Sequence, residues 1–221
     1  MTSHRTSSKR KNIVTSALAL FAEKGIRATT IRDIATQAGV TEGALYRHFE
    51  SKDHLAASLF SECAGLLHDH LRDAVEGEAD AHQRLCALVR GFFTFAETNP
   101  AAYEYVMARH HDTVGELPPG QPLPKDVITG VIEEGVQNGQ LLPMDPNLGA
   151  AMIVGLSTRT IFFFDRGMIE GTREAVTLEV CGAVQRIFCL TDRRPTTADR
   201  NGHQTATRTG EPPCSKPNAT S

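Results

Sequence analysis

Residues 29–49 read TTIRDIATQAGVTEGALYRHF, and the organisation of the whole chain follows from that stretch. Thr30 stands three residues before Asp33, the spacing at which a hydroxyl and a carboxylate cap a helix start reciprocally. Ile34 and Ala35 then begin an apolar face, and Gly39 ends the helix about two turns later. Thr41 caps another short helix through Tyr46 and His48. Two short helices joined across a glycine-containing turn make a helix-turn-helix. Ile34, Ala35, Ala38, Val40, Leu45 and Phe49 turn inward, which leaves Thr41, Glu42, Gly43, Ala44, Tyr46, Arg47 and His48 outward. These outward residues are short, or polar with reach, as an inserted helix requires. Ala44 is small enough to approach a thymine methyl, and Glu42 can accept from cytosine N4. Gly43 lets the backbone come close to a phosphate. Thr29 and Thr30 with the N–H groups of the helix they precede, Arg32, Tyr46, His48 and Lys52 are candidate phosphate grips. The same pair of helices is also an ordinary packing unit of helical proteins, so charge must be read beside it.

The net charge of −3 conceals an asymmetry. The first 52 residues hold nine Lys and Arg against four acids, whereas the rest holds fourteen bases and twenty-two acids. A basic head on an acidic body implies that the head alone meets a polyanion. His4-Arg5 and Lys9-Arg10-Lys11 extend the head as an arm for phosphates or the minor groove.

Working outward, nearly every long segment has helical periodicity. Ile13, Ala17, Leu20 and Phe21 share one face of a helix from Lys11 to Lys24, closed by Gly25. Ser51 caps a helix through Leu55 and Leu59 to about Val75. Beyond Gly77, Leu85, Leu88, Val89, Phe92, Phe95 and Ala96 carry the next. Asn99-Pro100 stops one helix and starts another, which ends near His111. Residues 112–124 hold four of the eleven prolines and form a loop. Val127 to Val136 make a further helix, Pro146 opens a long apolar one to about Ile169, and a last runs from Arg173 to Leu190. No strand alternation is evident, so the fold class is all-α, with about nine helices. Residues 191–221 lack Leu, Ile, Val, Met and Phe, and a disordered tail is expected there.

Ile13-x3-Ala17-x2-Leu20-Phe21-x3-Gly25, Thr29-Thr30-x3-Ile34-Ala35-x2-Ala38-Gly39-Val40 and Gly43-x-Leu45-Tyr46-x-His48-Phe49-x-Ser51-Lys52-x2-Leu55 resemble the DNA-binding domain of TetR-type transcriptional regulators. The resemblance runs without a gap from about Lys9 to Leu67. It implies a three-helix DNA-binding head, a larger helical body for ligand binding and dimerisation, and repression relieved by a small molecule. Thr30, Thr41, Gly43, Tyr46, His48 and Lys52 match positions that commonly touch DNA in that family. The expected organisation is a flexible basic arm (1–8), a DNA-binding domain (9–67, motif 30–49), a ligand and dimerisation domain (68–190) and the tail (191–221).

Such a head normally works as a two-fold dimer on a palindromic operator, because half-sites one DNA turn apart mirror the protein symmetry. Met152, Gly155, Leu156 and Phe162 in one late helix, and Cys181, Val184 and Phe188 in the last, are the interface candidates. The other reading is that these faces complete the monomer core. Phe162-Phe163-Phe164 argues for the interface, since three consecutive rings cannot all face one core. Phe92, Phe95, Tyr103, Met107, His110, Arg159 and Phe163 combine aromatic walls with polar handles and are the pocket candidates for an unidentified small-molecule effector. Arg159, midway along an apolar helix, needs a partner: Glu104, Glu97, Asp165 or an anionic ligand.

Other function classes fare worse. The apolar stretch 147–164 is interrupted by Arg159 and falls short of a clean membrane span. No apolar segment follows the polar, basic first twelve residues, so no signal peptide is expected. Five scattered cysteines without a C-x-x-C pair suit reduced thiols in a cytoplasm. His68 and His70 diverge on a helix, and His82 with Cys86 is two ligands where zinc takes about four. With no nucleophile motif or phosphate loop, neither a catalytic residue, a metal nor a cofactor is expected. A constitutive or protein-regulated DNA-binding protein without a small-molecule pocket stays open as the alternative.

Overall fold

The computed structural model describes residues 3–113 and 120–188, in which nine helices and no extended strand occur. They are α1 (Ser3–Ala28), α2 (Ile31–Ala38), α3 (Glu42–Tyr46), α4 (Lys52–Val75), α5 (Ala81–Thr98), α6 (Pro100–Thr113), α7 (Pro124–Gln137), α8 (Pro146–Asp165) and α9 (Arg173–Phe188). α1 contains a non-helical residue at Gly25, the position at which the sequence ends that helix. At its other end α1 begins at Ser3, so the arm expected over residues 1–8 is helical from Ser3 on. The tail expected over 191–221 lies outside the described residues.

α1, α2 and α3 form the head around Ile13, Ala17, Leu20, Phe21, Ile34, Ala35, Leu45 and Phe49, all buried. α4 starts beneath this cluster with Leu55 and Leu59 and continues into the body with Cys63, Leu67 and Leu71. The domain boundary expected at 67–68 therefore falls within one continuous helix. Residues 1–189 cluster as one compact unit.

α5 is the centre of the body and packs against α4, α6, α7, α8 and α9. Its residues Leu85 to Val89, Gly91 to Phe93, Phe95 and Ala96 are buried almost all round, as a helix surrounded by others must be. α8 is long and apolar enough by composition to cross a bilayer, but only 28% of its apolar window is buried. It buries Gly149, Ala150, Ile153, Ser157 and Ile161 and leaves the opposite face open. A Cβ on Gly149 would stand 2.7 Å from Ile132 Cδ1, 2.9 Å from Met144 Sδ and 3.0 Å from Phe188 Cε1. Glycine thus sets how closely α8 approaches its neighbours.

Candidate nucleic-acid interface

The turn between α2 and α3 is fixed by local chemistry. Thr30 Oγ1 accepts from Asp33 N at 3.1 Å, and Asp33 Oδ2 accepts from Thr30 N at 2.9 Å. Lys24 Nζ adds a bond to Asp33 Oδ2 at 2.9 Å. The Lys24 ammonium, then the Thr30 backbone N–H and hydroxyl, hold the Asp33 carboxyl down at about 2. Gly39 adopts φ 65°, a left-handed conformation that costs glycine little, and its N–H reaches Thr36 O. Thr41 Oγ1 then accepts from Ala44 N at 3.1 Å and starts α3.

The result is a short helix with an open face. Thr41, Glu42, Gly43, Tyr46 and Arg47 are exposed, Ala44 and His48 half-buried, and Leu45 fully buried. Tyr46 leaves 51% of its surface open. Arg47 folds back so that its Nε donates to Gly43 O at 3.3 Å. Lys9, Lys11, Arg27 and Arg32 are also exposed on the head.

Two expected DNA grips are internal instead. Thr29 has no exposed surface, and its hydroxyl donates to Gly25 O at 2.7 Å and to Leu20 O at 3.3 Å. It closes the turn after α1. Lys52 Nζ donates to Ile26 O at 2.8 Å and Thr29 O at 2.9 Å. Ile26 O at the end of α1 also accepts from Thr29 N at 3.3 Å, and the ammonium ties it to Thr29 O just beyond the helix. A sequence motif marks both positions equally well for DNA or for this capping.

Head and body are joined by contacts that no local pattern reveals. Tyr105 of α6 stacks on Phe21 of α1, ring centres 5.9 Å apart, and its hydroxyl donates to Ala56 O of α4 at 2.9 Å. Arg10 pairs with Glu62 and lies over the Phe49 ring. Tyr105 looks like any inward aromatic in the sequence, because its partners lie on distant segments.

The residues named for a pocket are not gathered around one described groove. Phe92, Phe95 and Tyr103 are buried in the core, Met107 and Phe163 are half-buried, and the His110 side chain lies outside the described residues. Arg159 is exposed, a correction to the buried charge expected there. Its guanidinium lies 4.7 Å from the Phe162 ring centre and 4.9 Å from that of Phe163. Asp165 pairs with Arg173 at 2.7 Å. One groove of about 250 Å³ lies between α4 and α5, lined by residues such as His70, Glu78, Arg90 and Thr94. Another of about 520 Å³ runs beside α9, between Leu156, Thr160, Ile169, Val180 and Arg186.

The interface candidates divide. Met152, Gly155 and Phe162 are exposed and Leu156 is half-buried. Cys181, Val184 and Phe188 belong to the monomer core, which corrects their assignment to an interface. Val176, Val180, Val184 and Phe188 repeat every four residues toward the core, while Leu178 on the opposite side and Ile187 at the helix end are 58% and 40% exposed. With Leu148, 53% exposed, they extend the apolar face of α8.

A family model described as bacterial regulatory proteins, tetR family, matches residues 13–59. The HTH-type transcriptional repressor KstR2 of Rhodococcus jostii is 31% identical over 142 residues, 60% of this chain and 68% of that protein. KstR2 of Mycobacterium tuberculosis is 38% identical over 97 residues, 44% of this chain. That match spans about half of the relative's length, 48%. Among solved structures, a TetR family transcription regulator from Marinobacter aquaeolei aligns with TM-score 0.72 at 20% identity, covering 84% of this chain and 98% of that one. FadR of Bacillus subtilis, solved with stearoyl-CoA, aligns with TM-score 0.63 at 20% identity, covering 79% and 96%.

Proposed function

We propose, from the premise that this chain belongs to the tetR family of bacterial regulatory proteins, that it is a dimeric cytoplasmic repressor released from a palindromic operator by a small molecule. The observation that carries this reading is the open face of α3, held out by two capped helices on a basic head. Glu42 and Ala44 approach base edges, and Gly43 lets the backbone approach a phosphate. Tyr46, Arg47, His48 and Arg32 hold phosphates, together with Thr30, Thr41 and the N–H groups they precede. Thr29 and Lys52 position this surface from behind.

The dimer forms through the apolar face of α8 and α9: Leu148, Met152, Phe162, Leu178 and Ile187. Release works as a population shift. A ligand that displaces α6 or α4 moves the head through Tyr105–Phe21, Tyr105–Ala56 and Lys52, and the two heads lose the half-site spacing. The ligand must bind the DNA-incompetent state more tightly than the other. Stearoyl-CoA, the ligand of the Bacillus subtilis structure of like fold, is the first effector to try. A protein-regulated or constitutive repressor is the second reading. Phe92, Phe95 and Tyr103 favour it, since they fill the core.

Selection and sequencing of genomic fragments bound at ~150 mM salt tests the head, because weak non-specific binding is suppressed there. One enriched palindrome is expected, and uniform recovery of fragments would overturn sequence-specific binding. Titration of that operator complex with stearoyl-CoA then tests the body. Release supports an acyl-type effector, while binding without release defeats the population shift.

A further inference from the structure

Two thiols meet where α5 crosses α9. Cys86 and Cys181 lie 95 residues apart in sequence, and Cys181 Sγ stands 3.7 Å from the Cys86 carbonyl oxygen. Both are reduced and nearly buried, Cys86 with 7% and Cys181 with 5% of its surface left. The remaining described cysteine, Cys63, sits on α4 in the core, where burial pushes its thiol up to about 12.

We propose that Cys86 and Cys181 are a two-electron oxidation site, taking a hydroperoxide as reactant and yielding an intrachain disulfide that ties α9 to α5. The Cys181 sulfur already rests against the Cys86 backbone where the two helices cross, and a disulfide brings the two sulfurs to ~2.05 Å.

The two sulfurs also have unequal parts. The neighbouring Cys181 thiol, aided by the Arg90 guanidinium one turn further along α5, holds the Cys86 thiol below its ordinary value against its burial. The same proximity raises Cys181. Cys86 is thus the thiolate that attacks and Cys181 the thiol that resolves. In the first step an S–O bond forms on Cys86 and the peroxide O–O bond breaks, and the departing oxygen leaves as water. The product is a sulfenic acid. In the second step Cys181 attacks that sulfur, the S–S bond forms and the S–O bond breaks. The Cys181 proton leaves with the hydroxide as a second water. Two sulfurs have each given one electron to one peroxide. A thiol reductant reverses the change, so the bond suits a transient signal.

The test uses the full chain with Cys189→Ser and Cys214→Ser, which removes the two competing thiols beyond the described residues. After one equivalent of hydrogen peroxide, alkylation and non-reducing digestion, mass spectrometry is expected to find a linked Cys86–Cys181 peptide and Cys63 free. Cys181→Ser in that background is expected to stop at a sulfenic acid on Cys86, which dimedone traps. Amide exchange in α9 slows in the oxidised protein and recovers with dithiothreitol. Two free thiols after excess peroxide, a link through Cys63 or a bond between chains would each overturn the proposal. So would a linked peptide with α9 exchange unchanged. No operator enters this experiment, so its outcome stands apart from that of the repressor reading.

Discussion

Lys52 shows how one residue can carry a second role that its motif does not reveal. A cation after a recognition helix, in a motif that resembles a DNA-binding family, invites assignment to a phosphate. Its ammonium instead lies between two carbonyls, Ile26 O and Thr29 O, and is half-buried. Hydrogen bonds to charged groups contribute about 1.5–3 kcal/mol each in folded proteins. Lys52→Met keeps the aliphatic stem and removes the donor. It is expected to destabilise the head by roughly 2 kcal/mol, read as a lowered urea midpoint with an unchanged slope. Arg47→Ala, at an exposed position, should leave the midpoint within about 0.5 kcal/mol of the parent and weaken DNA binding alone. A Lys52→Met midpoint equal to the parent's would return Lys52 to the DNA.

Among the elements, α2 is the one most completely written in the sequence. Its cap, its inward Ile34 and Ala35 and its glycine stop are all local, and each stands where its own chemistry puts it. The cap also carries a pH dependence. Asp33 is held at about 2, below its ordinary 3.8, by Lys24 first and Thr30 next. A depressed carboxyl stabilises in full above its unfolded pKa and loses that contribution as pH falls through the folded value. Asp33→Asn should therefore be less stable than the parent near neutral pH, with the gap narrowing below about pH 4 and closing near 2. Urea melts of both proteins across that range check it; a gap constant with pH would remove Asp33 ionisation from the cap. α9 was far less legible, for a physical reason. Its apolar residues fall nearly all round the helix, Leu178 opposite Ile187, and only the position of α5 decides which of them turn inward. Arg159 is similar: the apolar run around it suggests burial, yet it lies on the outer face of α8 over Phe162. Residues whose partners are sequence neighbours can be read one by one, and those whose partners come from other elements cannot.

For the whole molecule, the outer face of α8 and α9 is the feature that a monomer leaves unexplained. Leu148, Met152, Phe162, Leu178 and Ile187 each keep more than a third of their surface open, and all lie on the two last helices. Large apolar side chains left open mark an interface where they gather, and a stable one needs roughly 1,200–2,000 Å² in total. Under the proposed function a second copy is the occupant, since one three-helix head would read one half-site of a palindrome. The charges are compatible with a two-fold arrangement: Arg159 and Arg166 stand exposed on or just beyond α8, and Glu174 and Glu179 stand exposed on α9. Leu178→Glu tests this without disturbing the fold, because the side chain already points to solvent and such changes cost within about 0.5 kcal/mol. The parent should sediment as a dimer at micromolar concentration and the variant as a monomer of unchanged helicity. Operator affinity should then fall by on the order of 10²–10⁴, the gain that joining two heads supplies, while affinity for a single half-site stays the same. A variant that remains dimeric would place the interface on another face. A monomer that keeps full operator affinity would break the link between this face and DNA reading.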